Sequence, residues 1–380
     1  MSSTRIDIAH LTSAEVVRSL ADVTGPVLSA VVPVNRDGVR RPEGPARLRS
    51  MLDAMARRLE GFRTDGHPLD RSTRLLLLDA VAQLAENESV WGERSGSVVS
   101  TVTSAQLHTF WTSANFNEGY RVSPMAPLRF LLSAVVEAPD FNLLDLSLGV
   151  VRLRVPDADR LVDVATPTVP ASIDEALGFE DHERRLTNHT AGTNGGHDMR
   201  FHGHGVGGEV DHDRIERFIR AVVRGLEPAL REIERDQLPL VVTGVAEHLP
   251  VLRRMSSIPT ILEAPRAISF SDDEREVVTD IQTMLRHGRT TLIEATINHF
   301  VERRGTGMTT EGADSSLEAA RAGRVATALI ERCRHLDDFS DESARIDDLI
   351  AEVWRTGGEV VITEPASLGR AAPCACLLRY

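Results

Sequence analysis

The chain has 380 residues, enough for about two or three domains, and its 42% hydrophobic and 26% charged residues give it the apolar content to build packed cores. A formal net charge of −13 excludes a general electrostatic grip on nucleic acid and leaves only local basic patches for phosphate contact. Three cysteines (Cys333, Cys374, Cys376) are too few for a disulfide framework and fit a reducing, cytoplasmic compartment. The opening MSSTRIDIAHLTSAEVV lacks the cationic-then-apolar pattern of a signal peptide, and no apolar run approaches the ~18 residues of a membrane span, so no membrane partner is expected.

In chain order, Val27 to Pro33 reads as a strand, and Pro42 starts a helix whose Leu48, Met51, Leu52, Met55 and Leu59 share one face. A second helix is expected from Asp70, a good N-cap, through Leu75 to Leu78 and Val81. Strands are expected over Ser97 to Thr101 and Leu107 to Trp111, and Pro124 and Pro127 punctuate a loop. Leu128 to Val136 is almost wholly apolar and reads first as a buried strand, with a short helix as the alternative. Pro139 marks a first boundary.

Leu143 to Val155 alternates in part, as a half-buried strand does, with Gly149 placed for a hairpin or bulge. Residues 179 to 212 are rich in Gly, His, Asp, Asn and Thr, which predicts an exposed, mobile loop. Asp211 or Asp213 then caps a helix running to about Arg235, with Ile215, Phe218, Ile219, Val222 and Leu226 buried. Leu238 to Val245 is a solid apolar run of the parallel-strand type. A helix candidate follows at Glu247 to Met255, then a long one from Asp272 to about Arg303. Beyond a Gly/Thr loop lie a helix to Ala322 closed by Gly323, a strand to Ile330, a helix over Ser343 to Arg355, and strands at Val360 to Thr363 and Cys374 to Tyr380. This alternation predicts an α/β protein with mostly parallel or mixed sheets.

Three stretches carry a resemblance. LLDLSLGVVRLRV, a long polar loop and VDHDRIERFIRAVVRGLEPAL follow one another as do the strand, glycine loop and long helix of a release-factor middle domain. LPLVVTGVAEHLPVLRRM resembles the opening of the C-terminal domain, and DDLIAEVWRTGGEVVITEPASLGRAAPCACLLRY resembles its end. Over about two thirds of its length the chain thus resembles archaeo-eukaryotic class-I release factors and Pelota, and above all the bacterial archaeo-eukaryotic release factor families. The resemblance implies a multi-domain α/β fold: an N-terminal α/β domain at 1–139, a ribonuclease-H-like middle domain with the Gly/His-rich loop at 140–236, and an α/β C-terminal domain at 237–380. It implies a ribosome-associated, RNA-binding translation factor of the peptide-release, rescue or hibernation type, with the ribosome or a tRNA-like RNA as partner and no cofactor.

In such factors a Gly-Gly-Gln loop coordinates water at peptidyl-tRNA. The counterpart here is Gly207-Gly208-Glu209, where two glycines let backbone enter a crowded site but the third residue offers a carboxylate in place of an amide donor. Peptidyl-tRNA hydrolysis of the standard kind is therefore not expected. Gly195-Gly196-His197, upstream, departs as well. His202, His204 and Arg214 are the candidates for RNA or ribosome contact.

The chemistry readable from the residues alone is sparse. Six of the thirteen histidines fall between His182 and His212, and His197, His202 and His204 are the nearest thing to a metal-ligand set, though an H-x-H in a loop more commonly belongs to a solvated surface. Cys374-x-Cys376 places two thiols on one face of a strand, the pattern of buried packing. Arg304 to Gly312 lacks the Gly-Lys-Ser/Thr ending of a phosphate loop. Arg40, Arg41, Arg47, Arg49, Arg57 and Arg58, with Arg253-Arg254 and Arg303-Arg304, are basic clusters that read mainly as solvated faces. No triad, nucleophile elbow or dinucleotide fingerprint is present. The alternatives to a translation factor are a metal-dependent hydrolase acting on nucleic acid or a nucleotide, and a non-enzymatic interaction module, including a homo-oligomer.

Overall fold

The computed structural model describes residues 8–10, 17–34, 43–64, 66–91, 96–104, 106–157, 160–178, 206–244, 246–269, 271–336, 340–369 and 373–380, with side chains described for all of these but 8–10, 24, 89, 206–211 and 246. Two compact units divide the chain, one made of Met1–Pro139 with Gln282–Tyr380 and the other of Asp140–Ile281.

The N-terminal part of the first unit runs β1 (Ile8–His10), β2 (Thr24–Val34), α1 (Glu43–Gly61), β3 (Arg63–Thr64), β4 (His67–Pro68), α2 (Arg71–Glu86), β5 (Gly96–Val102), β6 (Leu107–Thr112), β7 (Gly119–Met125) and α3 (Leu128–Glu137). Five strands form a sheet in the order β1-β6-β5-β2-β7, antiparallel except where β1 joins β6. Leu48, Met55 and Leu59 bury one stripe of α1, and Leu77, Val81 and Leu84 one stripe of α2. Asp70 caps α2 as expected: its carboxylate accepts from the Thr73 N–H at 2.9 Å and from the Ser72 and Thr73 hydroxyls. Those donors, Ser72 foremost, hold the Asp70 carboxyl below the ordinary carboxylate range.

Two expectations are corrected here. Pro124 lies in a strand, β7, which the sequence leaves as loop. As the last strand of its sheet, β7 has an unpaired edge that accommodates a proline without an N–H. Leu128 to Val136 is helical. Leu128, Phe130, Leu131, Leu132, Ala134 and Val135 are all buried, so α3 is enclosed on nearly every side, and a helix hydrophobic all round shows no 3.6-residue period to distinguish it from a strand.

The middle unit runs β8 (Asn142–Leu146), β9 (Val151–Asp157), β10 (Arg160–Asp163), α4 (Ile173–Leu177), α5 (Val206–Glu232), β11 (Leu240–Gly244), α6 (Leu249–Met255), β12 (Ile261–Glu263) and the start of α7 (Glu274–Arg303). Its sheet has the order β10-β9-β8-β11-β12: two hairpins give three antiparallel strands, and β11 lies parallel to both β8 and β12. The first strand is central, three strands are antiparallel and the last two parallel, so the sheet is mixed. Helices α5 and α6 cover one face, where Phe218, Ile219, Val222, Leu226 and Leu230 meet Leu144, Leu146, Leu240 and Val242.

The expected boundary at 236/237 therefore falls inside a sheet. The strand expected to open a third domain, β11, pairs over its whole length with β8, Leu240 opposite Asn142 through Gly244 opposite Leu146, and the unit extends to Ile281. Arg235 ties this junction: its guanidinium donates to Asp140 at 2.9 and 2.7 Å, to Asn142 Oδ1 at 2.9 Å and to the Phe141 carbonyl at 2.6 Å. A domain boundary at 236 would split that contact.

The chain ends with β13 (Thr309–Glu311), α8 (Ala313–Arg321), β14 (Val325–Glu331), α9 (Asp341–Arg355), β15 (Glu359–Thr363) and β16 (Cys374–Leu378). Their sheet has the order β13-β16-β14-β15. The Gly/Thr stretch expected to be plain loop thus contributes an edge strand, β13. The N- and C-terminal segments share one core, in which Phe130, Leu131 and Ala134 of α3 lie with Ile346, Leu349, Ile350 and Val353 of α9. At its centre Asp347, fully buried, accepts from Arg121 Nη2 at 2.7 Å and from the Arg129 N–H at 2.8 Å, while Arg129 Nε donates to the Glu331 carbonyl at 2.7 Å. Burial pushes the Asp347 carboxyl above its ordinary range, and the Arg121 guanidinium and Arg129 N–H work against that rise. The segments assigned to separate first and third domains therefore form a single unit.

Candidate functional site

Of the residues singled out in the sequence, Gly207, Gly208, Glu209 and Arg214 lie in the opening turns of α5. The helix begins at Val206, earlier than the Asp211 or Asp213 expected, so the backbone of Gly207, Gly208 and Glu209 is in its first turn rather than in a loop. Glycine has poor helix propensity, which is why the sequence argues for loop there. An acidic residue suits this end of the helix, and Asp213 lies near its positive pole. Arg214 follows, half-buried. His197, His202 and His204 lie outside the described residues, as does Gly195-Gly196-His197 as a whole.

Farther along α5 the sequence reading misses a feature. The helix buries Phe218, Ile219, Val222, Leu226 and Leu230. Arg217, Arg220, Arg224 and Arg231 are all exposed. At about 100° per residue these four fall within an arc of about 60°, centred directly opposite the buried stripe. Arg217 lies 3.4 Å from Asp213 and Arg231 3.7 Å from Glu227, both loose pairs. Glu227 is committed elsewhere: it accepts from the Ser257 N–H at 2.6 Å and from Ser256 Oγ at 3.0 Å. Burial pulls the Glu227 carboxyl up, but these donors and Arg231 carry it below the ordinary range. Arg220 and Arg224 form no ion pair with a described residue. The spacing i, i+3, i+7, i+14 is a helical signal that was legible in the sequence once the helix was placed.

Of the described residues in the other basic clusters, Arg57, Arg58 and Arg303 form no ion pair with a described residue, and the rest are taken up by their own neighbours. Arg47 pairs with Glu43 and Glu118, Arg49 donates to the Ala85 carbonyl, Arg253 to the Ile261 carbonyl, Arg254 pairs with Glu216, and Arg304 with Glu311. Arg40 and Arg41 lie outside the described residues.

A cavity of about 200 Å³ opens at the carboxyl ends of β11 and β12, lined by Thr243, Gly244, Leu249, Glu263 and Arg266 among others. This edge of an α/β sheet is where ligands commonly bind. Gly244 has φ +126°, and a Cβ there would stand 2.0 Å from the Leu146 carbonyl oxygen, so the strand end closes tightly on β8. Arg266 is occupied by Asp272 at 2.6 Å and Asp280 at 2.9 Å. His248, just before α6, is buried; burial lowers its imidazole below the ordinary range, and its Nδ1 has no hydrogen-bond partner among the described residues. The volume lies below the ~300 Å³ at which small-molecule pockets begin, and no nucleophile and base converge on it.

Asp145, the carboxylate on the central strand β8, accepts from Arg154 Nε and Nη2 at 2.9 Å each. Both its oxygens are engaged. Among the described residues no three His, Cys, Asp or Glu side chains gather as metal ligands. Cys374 and Cys376 are buried on β16 between β13 and β14, and burial pushes their thiols up to about 12 and about 11. They stay protonated near neutrality and pack as small apolar groups.

Comparison with curated proteins gives no match. Among solved structures, the chain is similar to an archaeal translation termination factor, aRF1, at 15% identity and a TM-score of 0.24 over 97% of each chain. It is similar to Saccharomyces cerevisiae Dom34, a translation termination-like factor, at 12% identity and a TM-score of 0.40 over 75% of this chain and 73% of that one. Archaeal Pelota, from a model of its ribosome-bound form with ABCE1, aligns at 11% identity and a TM-score of 0.37 over 98% and 95%. Residues 140–324, which take in the whole middle unit and continue to the approach to β14, match the family model of the bacterial archaeo-eukaryotic release factors, family 3.

Proposed function

We propose that the protein is a ribosome-associated, release-factor-like translation factor that acts without Gly-Gly-Gln peptidyl-tRNA hydrolysis. The family-model match over residues 140–324 carries this reading, because it spans the unit in which the Gly-Gly-Glu turn opens a long helix. The chemistry supports the second half of it. Glu209 offers no amide donor to a water or carbonyl, and its carboxylate is repelled by tRNA phosphates. The role is then docking and occupancy of the ribosome, as in rescue or hibernation, with RNA and the ribosome as partners and the cytoplasm as location. The metal-dependent hydrolase gains no support from the described residues, since Arg154 holds both oxygens of the central-strand Asp145.

The test is sedimentation of the purified full-length chain with ribosomes and separated subunits on gradients at low and moderate salt. Co-migration with a defined particle that survives moderate salt is expected. A chain that stays at the top of the gradient under both conditions overturns the proposal. On ribosomes carrying peptidyl-tRNA, release at the uncatalysed rate is expected, and release comparable to that of a Gly-Gly-Gln factor would remove the non-hydrolytic half.

A further inference from the structure

We infer that the outer face of α5 is a phosphate-binding strip that lies along the backbone of an RNA helix. The inference rests on the preceding reading only in naming RNA as the source of the phosphates. The strip consists of Arg217, Arg220, Arg224 and Arg231, and from its first to its last residue α5 rises about 21 Å.

Four observations point outward to a ligand. The arginines stand opposite the buried stripe, so they take no part in packing α5 onto its sheet. They concentrate positive charge on one line of a chain whose net charge is −13. Like charges three and four residues apart on a helix repel, and here Arg217, Arg220 and Arg224 are so spaced without an intervening acid. Among the described residues the nearby carboxylates form no ion pair with the middle of the strip, Arg220 and Arg224: Asp213 pairs loosely with Arg217, Glu227 with Arg231 while held by Ser256 and Ser257, and Glu216 on the flank is taken by Arg254 of α6.

All four are arginines, whose planar fork meets phosphate oxygens with two parallel hydrogen bonds. A straight row of such groups reads the spacing and shape of a backbone, not a base sequence, and this is how duplex RNA is recognised. A tight phosphate pocket would instead need convergent donors, and these diverge along a line.

The experiment measures binding of the full-length chain to a mixed-sequence RNA duplex of about 16 base pairs, and to the matching DNA duplex, across a salt series. It compares the wild type with Arg220→Glu/Arg224→Glu and with Arg57→Glu/Arg58→Glu on α1. The latter makes the same charge change at exposed positions elsewhere. Circular dichroism melts confirm that each variant is folded. The α5 pair is expected to weaken RNA binding on the order of tenfold or more and to flatten the log–log salt slope by about 2, while the α1 pair changes neither. Equal losses from the two pairs, no binding by the wild type, or tighter binding to DNA than to RNA would each overturn the inference. The same proteins on ribosome gradients separate the two proposals. If the wild type and the α5 variant co-migrate equally, the strip is wrong and the ribosome reading stands. If the wild type binds the duplex through the strip but never the ribosome, the reverse holds.

Discussion

The first unit and the middle unit use arginine in opposite ways. In the first, Arg121 and Arg129 are turned inward, and with Asp347 they join β7 and α3 to α9, more than two hundred residues away. In the middle unit, Arg154 and Arg235 do the same over shorter spans, but Arg217, Arg220, Arg224 and Arg231 face solvent on one line. Inward guanidinium groups meet protein acceptors, a buried carboxylate for Arg121, Arg154 and Arg235 and the Glu331 carbonyl for Arg129, and fix the fold. Outward ones have little structural purpose to explain their alignment. A chain that is acidic overall can thus keep a basic surface on a single helix.

Substitutions on either side of that contrast should separate cleanly. Asp347→Ala leaves the Arg121 guanidinium buried without a carboxylate to balance its charge, and is expected to destabilise the protein by about 3–5 kcal/mol in chemical denaturation. A loss under about 1 kcal/mol would mean that the pair does not organise the shared core. Gly225→Ala comes next. A Cβ there meets the Thr168 carbonyl oxygen at 2.2 Å, a backbone atom that no rotamer change can move aside, so a loss of about 1–3 kcal/mol is expected. An unchanged midpoint would show that the 168–169 segment does not cross α5 as described.

Asp70→Ala has a smaller effect with a distinctive pH dependence. The folded-state carboxyl is held below its unfolded value, so its contribution is present above the ordinary carboxylate range and is lost as pH falls through the folded-state value. The variant should melt below the wild type at neutral pH, and the gap should narrow on acidification. A gap that widens in acid would contradict the capping geometry. Smallest of all, Arg220→Ala/Arg224→Ala should shift stability by no more than about 0.5 kcal/mol in either direction. A larger loss would place these side chains among the structural arginines and dissolve the contrast.

Much of the local structure was legible because it depends on neighbours in sequence. The Asp70 cap, the stripe of α1 and the hairpin at Gly149 each follow from a few adjacent residues. The domain division was not legible, because a solid apolar strand such as Leu240–Gly244 reads the same whichever sheet it joins, and only its pairing with β8 decides. Pro124 and the Leu128–Glu137 helix were obscured for related reasons: an edge tolerates what a central strand excludes, and full burial erases periodicity. At the site, Gly207-Gly208-Glu209 was found by its resemblance, and its helical backbone runs against glycine's intrinsic preference. The arginine line forms no cluster in the sequence, because its members are neighbours only on a helix.

The most direct measurement is arginine-selective modification of the full-length protein with phenylglyoxal, read by peptide mass spectrometry with and without saturating ribosomes. The account predicts that Arg220 and Arg224 lose reactivity when ribosomes are added, while Arg57 and Arg58 keep theirs. Unchanged reactivity of Arg220 and Arg224 on bound protein would contradict it.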